Sequence, residues 1–78
     1  MEQLNHDELA RTVTDAGKLL LENGAETNRV EDTMTRLCYA FHATIVDAYA
    51  TPTLLMISFT LNGQLVHNIK REIGRAHV

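Results

Sequence analysis

Cysteine, aromatic residues and positive charge are all scarce in this chain. Only one of its 78 residues is a cysteine, so no internal disulfide can form. The net charge of −3 argues against nucleic-acid binding, because nucleic-acid-binding domains are usually basic. No apolar run approaches the ~20 residues that a transmembrane helix needs. Taken alone, these absences predict a soluble intracellular domain.

The length of the chain limits the core that it can build. A domain of this size buries only roughly 60% of the surface of its unfolded chain, so its stability is marginal. Disulfides, metals or partner subunits usually supply the missing stability. Because disulfides are excluded, we expect attachment to a larger protein or self-association as a homo-oligomer. The unpaired edges of a small sheet favour self-association further.

The first predicted element is an amphipathic helix over residues 7–23. Apolar residues recur there at spacings of three and four, and Asn5 offers a capping oxygen just before it. Gly24 is expected to end the helix, because glycine readily adopts the left-handed conformation of a helix end. The predicted apolar stripe consists of Leu9, Val13, Ala16 and Leu20, widened by Leu19 and Leu21.

A second helix is predicted to begin at Thr27, whose hydroxyl group would cap it. The connection between the helices is short, which is typical of two antiparallel neighbours. The second apolar stripe is formed by Val30, Met34, Leu37 and Phe41, with Cys38 beside it.

After His42 the pattern changes from helical to extended. The segments TIVDAYA and LLMISFT are rich in β-branched residues, and Thr51-Pro52-Thr53 separates them. Asn62-Gly63 is a strong hairpin signal, and QLVHNI would return as a third strand. The chain therefore reads as ααβββ, an α+β fold in which an antiparallel helical hairpin packs on a three-stranded antiparallel meander. The end, KREIGRAHV, has no predicted element.

The register of the sheet follows from the hairpin turn. A two-residue turn at Asn62-Gly63 places Phe59 opposite Val66 and Ile57 opposite Asn68. One face of the middle strand is apolar and the other mixed, and a polar Asn68 opposite the apolar face is awkward. The sequence therefore leaves open which face meets the helices.

Recognisable catalytic and metal-binding motifs are missing. The sequence has neither a Gly-x-Ser-x-Gly elbow nor a phosphate-binding Walker loop. Its four histidines, His6, His42, His67 and His77, match no metal-ligand spacing. Cys38 beside an apolar stripe is interpreted as a buried thiol rather than a nucleophile. We predict no metal and no cofactor.

One segment, ENGAETNRVEDTMTRL, concentrates charge on the second helix. Its carboxylates Glu31 and Asp32 are adjacent, so their side chains diverge by ~100° and do not share a proton. Asp32 instead forms an i,i+4 pair with Arg36, and an i,i+3 pair with Arg29 is also expected. A salt-bridged exposed face explains this spacing best. Because the face also carries Tyr39, it equally suits docking against another part of a larger protein.

Two blocks of this sequence resemble the threonine/serine exporter family, which was long grouped among domains of unknown function. The first block is GAETNRVEDTM, and the second is Thr51-Pro52-Thr53 after a short strand. The resemblance implies membrane transporters of small amino acids or organic acids that carry a cytoplasmic N-terminal region. Residues 1–78 would then be a single domain, a portion of that larger N-terminal region, at the cytoplasmic side of the cell membrane.

The resemblance also implies a partner, namely the membrane-spanning portion of the same or another protein. The role would be assembly, gating or regulation of export, without enzymatic activity. Alternatives are a hydrolase-like domain that uses Glu26, Glu31 or Asp32, and a stand-alone dimerisation module. The candidate contact residues are Glu26, Thr27, Arg29, Glu31, Asp32, Arg36, Thr51, Pro52 and Thr53.

Overall fold

Two helices precede three strands in the computed structural model, which describes residues 5–71. The strands form one antiparallel sheet in the order β1-β2-β3, and both helices pack on the same face of it. This arrangement confirms the predicted ααβββ fold. The elements are α1 (His6–Glu22), α2 (Thr27–Ala40), β1 (Thr44–Thr51), β2 (Leu54–Leu61) and β3 (Gln64–Arg71).

Helix α1 begins and ends at the predicted signals. The side chain of Asn5 accepts a hydrogen bond of 2.7 Å from the Glu8 amide, and Glu8 accepts one of 3.0 Å from the Asn5 amide. This reciprocal pair is a capping box, which satisfies two amides that the helix itself leaves unpaired. At the other end Gly24 adopts φ +88°, the left-handed conformation expected of it.

The buried stripe of α1 differs from the predicted one. Leu19 is 61% exposed, whereas Thr14 and Gly17 are buried. Gly17 matters because an added Cβ would lie only 2.9 Å from Met34 Sδ and 3.0 Å from Leu55 Cδ1. Its lack of a side chain therefore lets α1 approach both α2 and β2 closely. The buried residues of α1 are Leu9, Ala10, Val13, Thr14, Gly17 and Leu21.

Helix α2 begins at Thr27 as predicted, but the predicted cap is wrong. Thr27 is already the first helical residue, so it cannot be the cap. Glu26 occupies the capping position instead, and its side chain makes no cap hydrogen bond. Phe41, expected in the stripe, lies just beyond the helix and is 38% exposed. Cys38 takes its place, because the buried line follows strict i,i+4 spacing through Val30, Met34 and Cys38.

The register of the sheet confirms the hairpin prediction. Asn62 and Gly63 both have positive φ values, +53° and +79°, as a tight two-residue turn requires. Phe59 therefore pairs with Val66, and Ile57 pairs with Asn68. The side chains of β2 that face the helices are all buried; they are Leu55, Ile57, Phe59 and Leu61.

A polar contact accommodates Asn68 on the helix-facing side. Its Nδ2 atom donates to Thr14 Oγ1 at 3.4 Å, and that hydroxyl in turn donates to the Ala10 carbonyl at 3.0 Å. Within residues 5–71, every buried side-chain nitrogen or oxygen has a hydrogen-bond partner. Asn68 thus belongs to a polar bridge between β3 and α1 in which its side chain has a partner. The sheet face that meets the helices is therefore the one that carries Asn68 and the apolar side chains of β2.

The two edges of the sheet differ. Strand β1 contains an irregularity between Thr44 and Asp47, where Ile45 adopts φ +52°. Such bulges bend an edge strand and discourage further pairing. Strand β3 pairs regularly along its length and reaches Arg71, two residues beyond the predicted QLVHNI. The remainder of the predicted unstructured end, residues 72–78, lies outside the described residues.

Candidate functional site

Glu31 joins the two sequence blocks that the resemblance singled out. The connection between α2 and β1 is short, so β1 returns along α2 and its end lies beside the first turns of the helix. There Glu31 Oε2 accepts a hydrogen bond of 2.9 Å from the backbone amide of Ala50. The Thr51-Pro52-Thr53 turn follows directly, so the fold brings the two blocks to one end of the domain.

This contact gives Glu31 a structural task. Ala50 is only 6% exposed and lies in an edge strand, so within residues 5–71 its amide has no strand beyond it to donate to. A buried amide without a partner is costly, and the carboxylate supplies the missing acceptor. Glu31 therefore fixes the end of β1 against α2 rather than belonging to a solvated helix face.

The remaining charged side chains of α2 form an exposed surface. We call it the α2 polar surface: a shallow concavity of about 610 Å³ lined by Glu26, Asn28, Arg29, Asp32, Thr33 and Arg36. Arg36 Nε lies 3.1 Å from Asp32 Oδ2, as predicted, and both side chains are exposed. Such a pair contributes only about 0.3–0.5 kcal/mol. In the described chain no ion pair joins Arg29 to Asp32, contrary to the prediction.

The carboxylates of the hydrolase-like alternative are directed to different places. Glu31 turns towards Ala50, and Asp32 towards Arg36. Glu26 stands at the capping position of α2 and is exposed. Among residues 5–71 no group of three His, Cys, Asp or Glu side chains could hold a metal ion. No two of these three carboxylates therefore converge on one proton.

The three threonines and the proline among the candidates shape the same end of the domain. Thr51 Oγ1 accepts a hydrogen bond of 3.3 Å from the Thr53 amide, which holds the turn around Pro52. Pro52 and Thr53 are exposed, whereas Thr51 and Thr27 are half-buried. The turn is therefore preformed, with its tip accessible to a partner.

Sequence reasoning missed the inward turn of Glu31. Its signal was positional, because Glu31 follows Val30 and lies one helical turn before Met34, at the margin of the buried stripe. A row across the sheet was also missed: Asp47 pairs with Ser58, and Ser58 with His67. Serine is central in this row, whereas a Ser-His-Asp triad needs histidine between the other two.

Cys38 is a buried thiol, as the sequence indicated. Its side chain is fully inaccessible, and this burial raises the pKa of the thiol from 9.0 to about 11. The charged thiolate is therefore disfavoured in the folded protein. Stability gained from the neutral thiol is complete below pH 9 and is lost as the pH rises towards 11.

We expect iodoacetamide to label Cys38 at pH 8 roughly 100-fold more slowly in the folded chain than in urea, because the thiolate fraction falls about tenfold per pKa unit. The chain has one cysteine, so a single mass shift reports the reaction. Free cysteine in the same two buffers controls for urea. Equal rates in the folded and unfolded chain would contradict burial of the thiol.

Residues 11–78 match the family described as "Putative threonine/serine exporter". The match covers both blocks discussed above and most of the fold. Neither a curated protein nor a solved structure matches the chain. In residues 5–71, neither helix combines the length and apolar character needed to cross a bilayer.

Proposed function

The chain belongs to the threonine/serine exporter family, and from that premise we propose that it acts as a cytoplasmic docking domain of an exporter. In this proposal the α2 polar surface and the tip of the Thr51-Pro52-Thr53 turn contact the membrane-spanning portion of the same or a partner protein. The contact serves assembly or gating of the exporter, which moves threonine, serine or related organic acids out of the cell.

The observation that carries the proposal is the meeting of the two blocks through Glu31 and Ala50. Residues nineteen positions apart in the sequence are held at one end of the domain by a side-chain-to-backbone hydrogen bond. Such a bond fixes the turn relative to α2, so both present one surface to a partner. A surface fixed before binding loses little conformational freedom on docking.

The charges of the α2 polar surface suit recognition rather than folding. The Asp32–Arg36 pair is exposed and contributes little to stability, and Arg29 is exposed as well. Exposed charges of both signs give an interface its specificity and orientation. Arginine is also enriched at protein interfaces. Replacing these residues should therefore disturb docking while leaving the fold intact.

We expect Arg29→Glu in the full exporter to lower threonine or serine efflux by about tenfold, since a like-charge contact in an interface costs more than about 1 kcal/mol. Asp32→Arg should have a comparable effect. Efflux is measured from cells preloaded with the labelled amino acid, alongside the amount of exporter in the membrane. The isolated domain carrying either substitution should keep its helical circular dichroism.

The matched control is Arg11→Glu, which makes the same charge change at an exposed position of α1. It should leave efflux unchanged. Wild-type efflux in both α2 variants would contradict the docking role of this surface. An equal loss in the Arg11 variant would show that net charge, rather than position, is responsible.

A further inference from the structure

The sheet has a second face, opposite the helices, that no described residue covers. We call it the outer sheet face, and its side chains alternate along the strands with those of the core. Several are large and apolar: Leu65 is 63% exposed, Tyr49 53%, Ile69 45% and Met56 39%. A groove of about 350 Å³ runs over the middle of this face. Tyr49, Met56 and Ile69 are neighbours across the strands, and contiguous exposed apolar side chains of this kind mark interaction sites.

The register arranges these side chains in rows across all three strands. Tyr49 pairs with Met56, and Met56 pairs with Ile69, which makes one apolar row. The neighbouring row on the same face is polar and consists of Asp47, Ser58 and His67. An apolar row beside a polar row restricts how another surface can pack here, because each row needs a counterpart of its own kind.

The charges on this face are divided between its two edges. The β1 edge presents the acidic Asp47, and the β3 edge presents His67 and the basic Arg71. A two-fold axis parallel to the strands would place β1 of one copy over β3 of another, with every row facing itself. Asp47 would then face His67 of the second copy, twice in each dimer. An axis across the strands, midway between the two rows, would instead place acidic edge on acidic edge and the apolar row on the polar one.

We infer that the outer sheet face binds a second copy of this chain, with β1 of each copy over β3 of the other. Two packed sheets are rotated by about 30°, which displaces the end rows more than the two central ones. The central rows therefore carry the interface. In them Met56 meets its own counterpart, flanked by Tyr49 against Ile69 and by Asp47 against His67.

The size of the face sets the expected strength. Three strands of eight residues cover about 27 Å by 14 Å, so two copies bury at least about 800 Å², below the usual size of a stable interface. A weak dimer follows, with a Kd of about 10 μM to 1 mM in the isolated domain. Because α2 lies on the other face of the sheet, the α2 polar surface stays accessible in this dimer.

The 78-residue chain is tested by sedimentation equilibrium between about 10 μM and 1 mM, the range that brackets the expected Kd. Met56→Lys should raise the Kd at least about tenfold, because it buries a charge against itself. Leu19→Lys, at an apolar position of α1 that is even more exposed than Met56, should leave the Kd unchanged. Circular dichroism and amide exchange establish that both variants are folded.

A charge exchange tests the orientation. Asp47→Lys alone and His67→Asp alone should each weaken association about tenfold. An equimolar mixture of these two variants should restore it. In the mixed dimer the lysine introduced in one copy faces the aspartate introduced in the other, and the two unchanged side chains, His67 and Asp47, face each other as in the wild type. This rescue requires contact between different copies and cannot arise within one chain.

Three results would overturn the inference. The first is a wild-type chain that remains monomeric at about 1 mM, as expected if the face binds another protein. The second is a Met56→Lys variant that associates as the wild type does, as expected if copies associate through the β3 edge. The third is a mixture of the two charge variants that fails to restore association. The positions substituted here lie outside the α2 polar surface. A negative result in this association test therefore leaves the docking proposal, which is tested by efflux, unaffected.

Discussion

Replacing Phe59 with alanine is expected to reduce the free energy of unfolding by about 3–5 kcal/mol. Among residues 5–71, Phe59 is the largest side chain that is fully buried, and it lies in the central strand on the sheet face that meets the helices. Truncation removes most of a ring from the core, and the lost transfer free energy adds to that of the cavity left behind. The surrounding chain has little freedom to collapse, because β2 is paired on both sides.

The effect is large because the domain is small. At roughly 0.05–0.15 kcal/mol per residue, the whole domain is stable by about 4–12 kcal/mol. Phe59→Ala should therefore populate the unfolded state at 25 °C or shift the urea midpoint far down, as measured by far-UV circular dichroism. The chain provides its own control, since its other phenylalanine, Phe41, is 38% exposed. Phe41→Ala should cost less than about 1 kcal/mol.

An equal loss in the two alanine variants would contradict the core described here. It would mean that the ring of Phe41 is buried as deeply as that of Phe59. The sequence pattern predicted such burial, because it placed Phe41 in the apolar stripe of the second helix. The comparison thus tests a point at which sequence pattern and structure disagree.

Periodicity predicted which elements form, because each element has a clear repeat and a clear end. The capping residue Asn5, the terminal Gly24 and the Asn62-Gly63 turn each act within a few residues, so local chemistry determines them. The turn even fixed the pairing of Ile57 with Asn68. The polar Asn68 in that pairing fits the core side after all, because its side chain donates a hydrogen bond to Thr14 of α1.

Periodicity failed where contact size, rather than hydropathy, decides burial. Gly17 lies at the closest approach of α1 to Met34 and Leu55, yet a residue without a side chain gives no apolar signal. Leu19 is strongly apolar but exposed, because the buried line of α1 passes through Gly17 instead. A pattern that counts large apolar residues cannot find the place where two helices need a small one.

The candidate site was predicted in part for a similar reason. Spacing along the helix predicted the Asp32–Arg36 pair, because both partners lie on α2 itself. The partner of Glu31 is an amide of β1, nineteen positions away, and no helical spacing encodes it. From the sequence, only the family resemblance linked the two blocks, by naming both as candidate contact residues. The physical reason, an edge-strand amide that needs an acceptor, required the sheet order.

Glu31→Ala is expected to lower the free energy of unfolding by about 1.5–3 kcal/mol, the range for losing a hydrogen bond to a charged group. The substitution leaves the Ala50 amide buried without an acceptor, and it frees the end of β1 from α2. Amide exchange by NMR reports this directly, since the protection of Ala50 should fall more than that of the β2 core. If the proposed docking role holds, efflux in the full exporter should fall as well, because the bond that holds the turn in place relative to α2 is lost.

Two neighbouring substitutions separate this role from charge alone. Glu31→Gln keeps an oxygen acceptor and should recover much of the stability and of the Ala50 protection. Asp32→Ala removes a carboxylate from an exposed pair and should cost no more than about 0.5 kcal/mol. If Asp32→Ala destabilised the domain as much as Glu31→Ala, the negative charge of α2 would be the cause. A selective loss at Glu31, repaired by glutamine, would instead identify the bond to Ala50 as what holds the two blocks together.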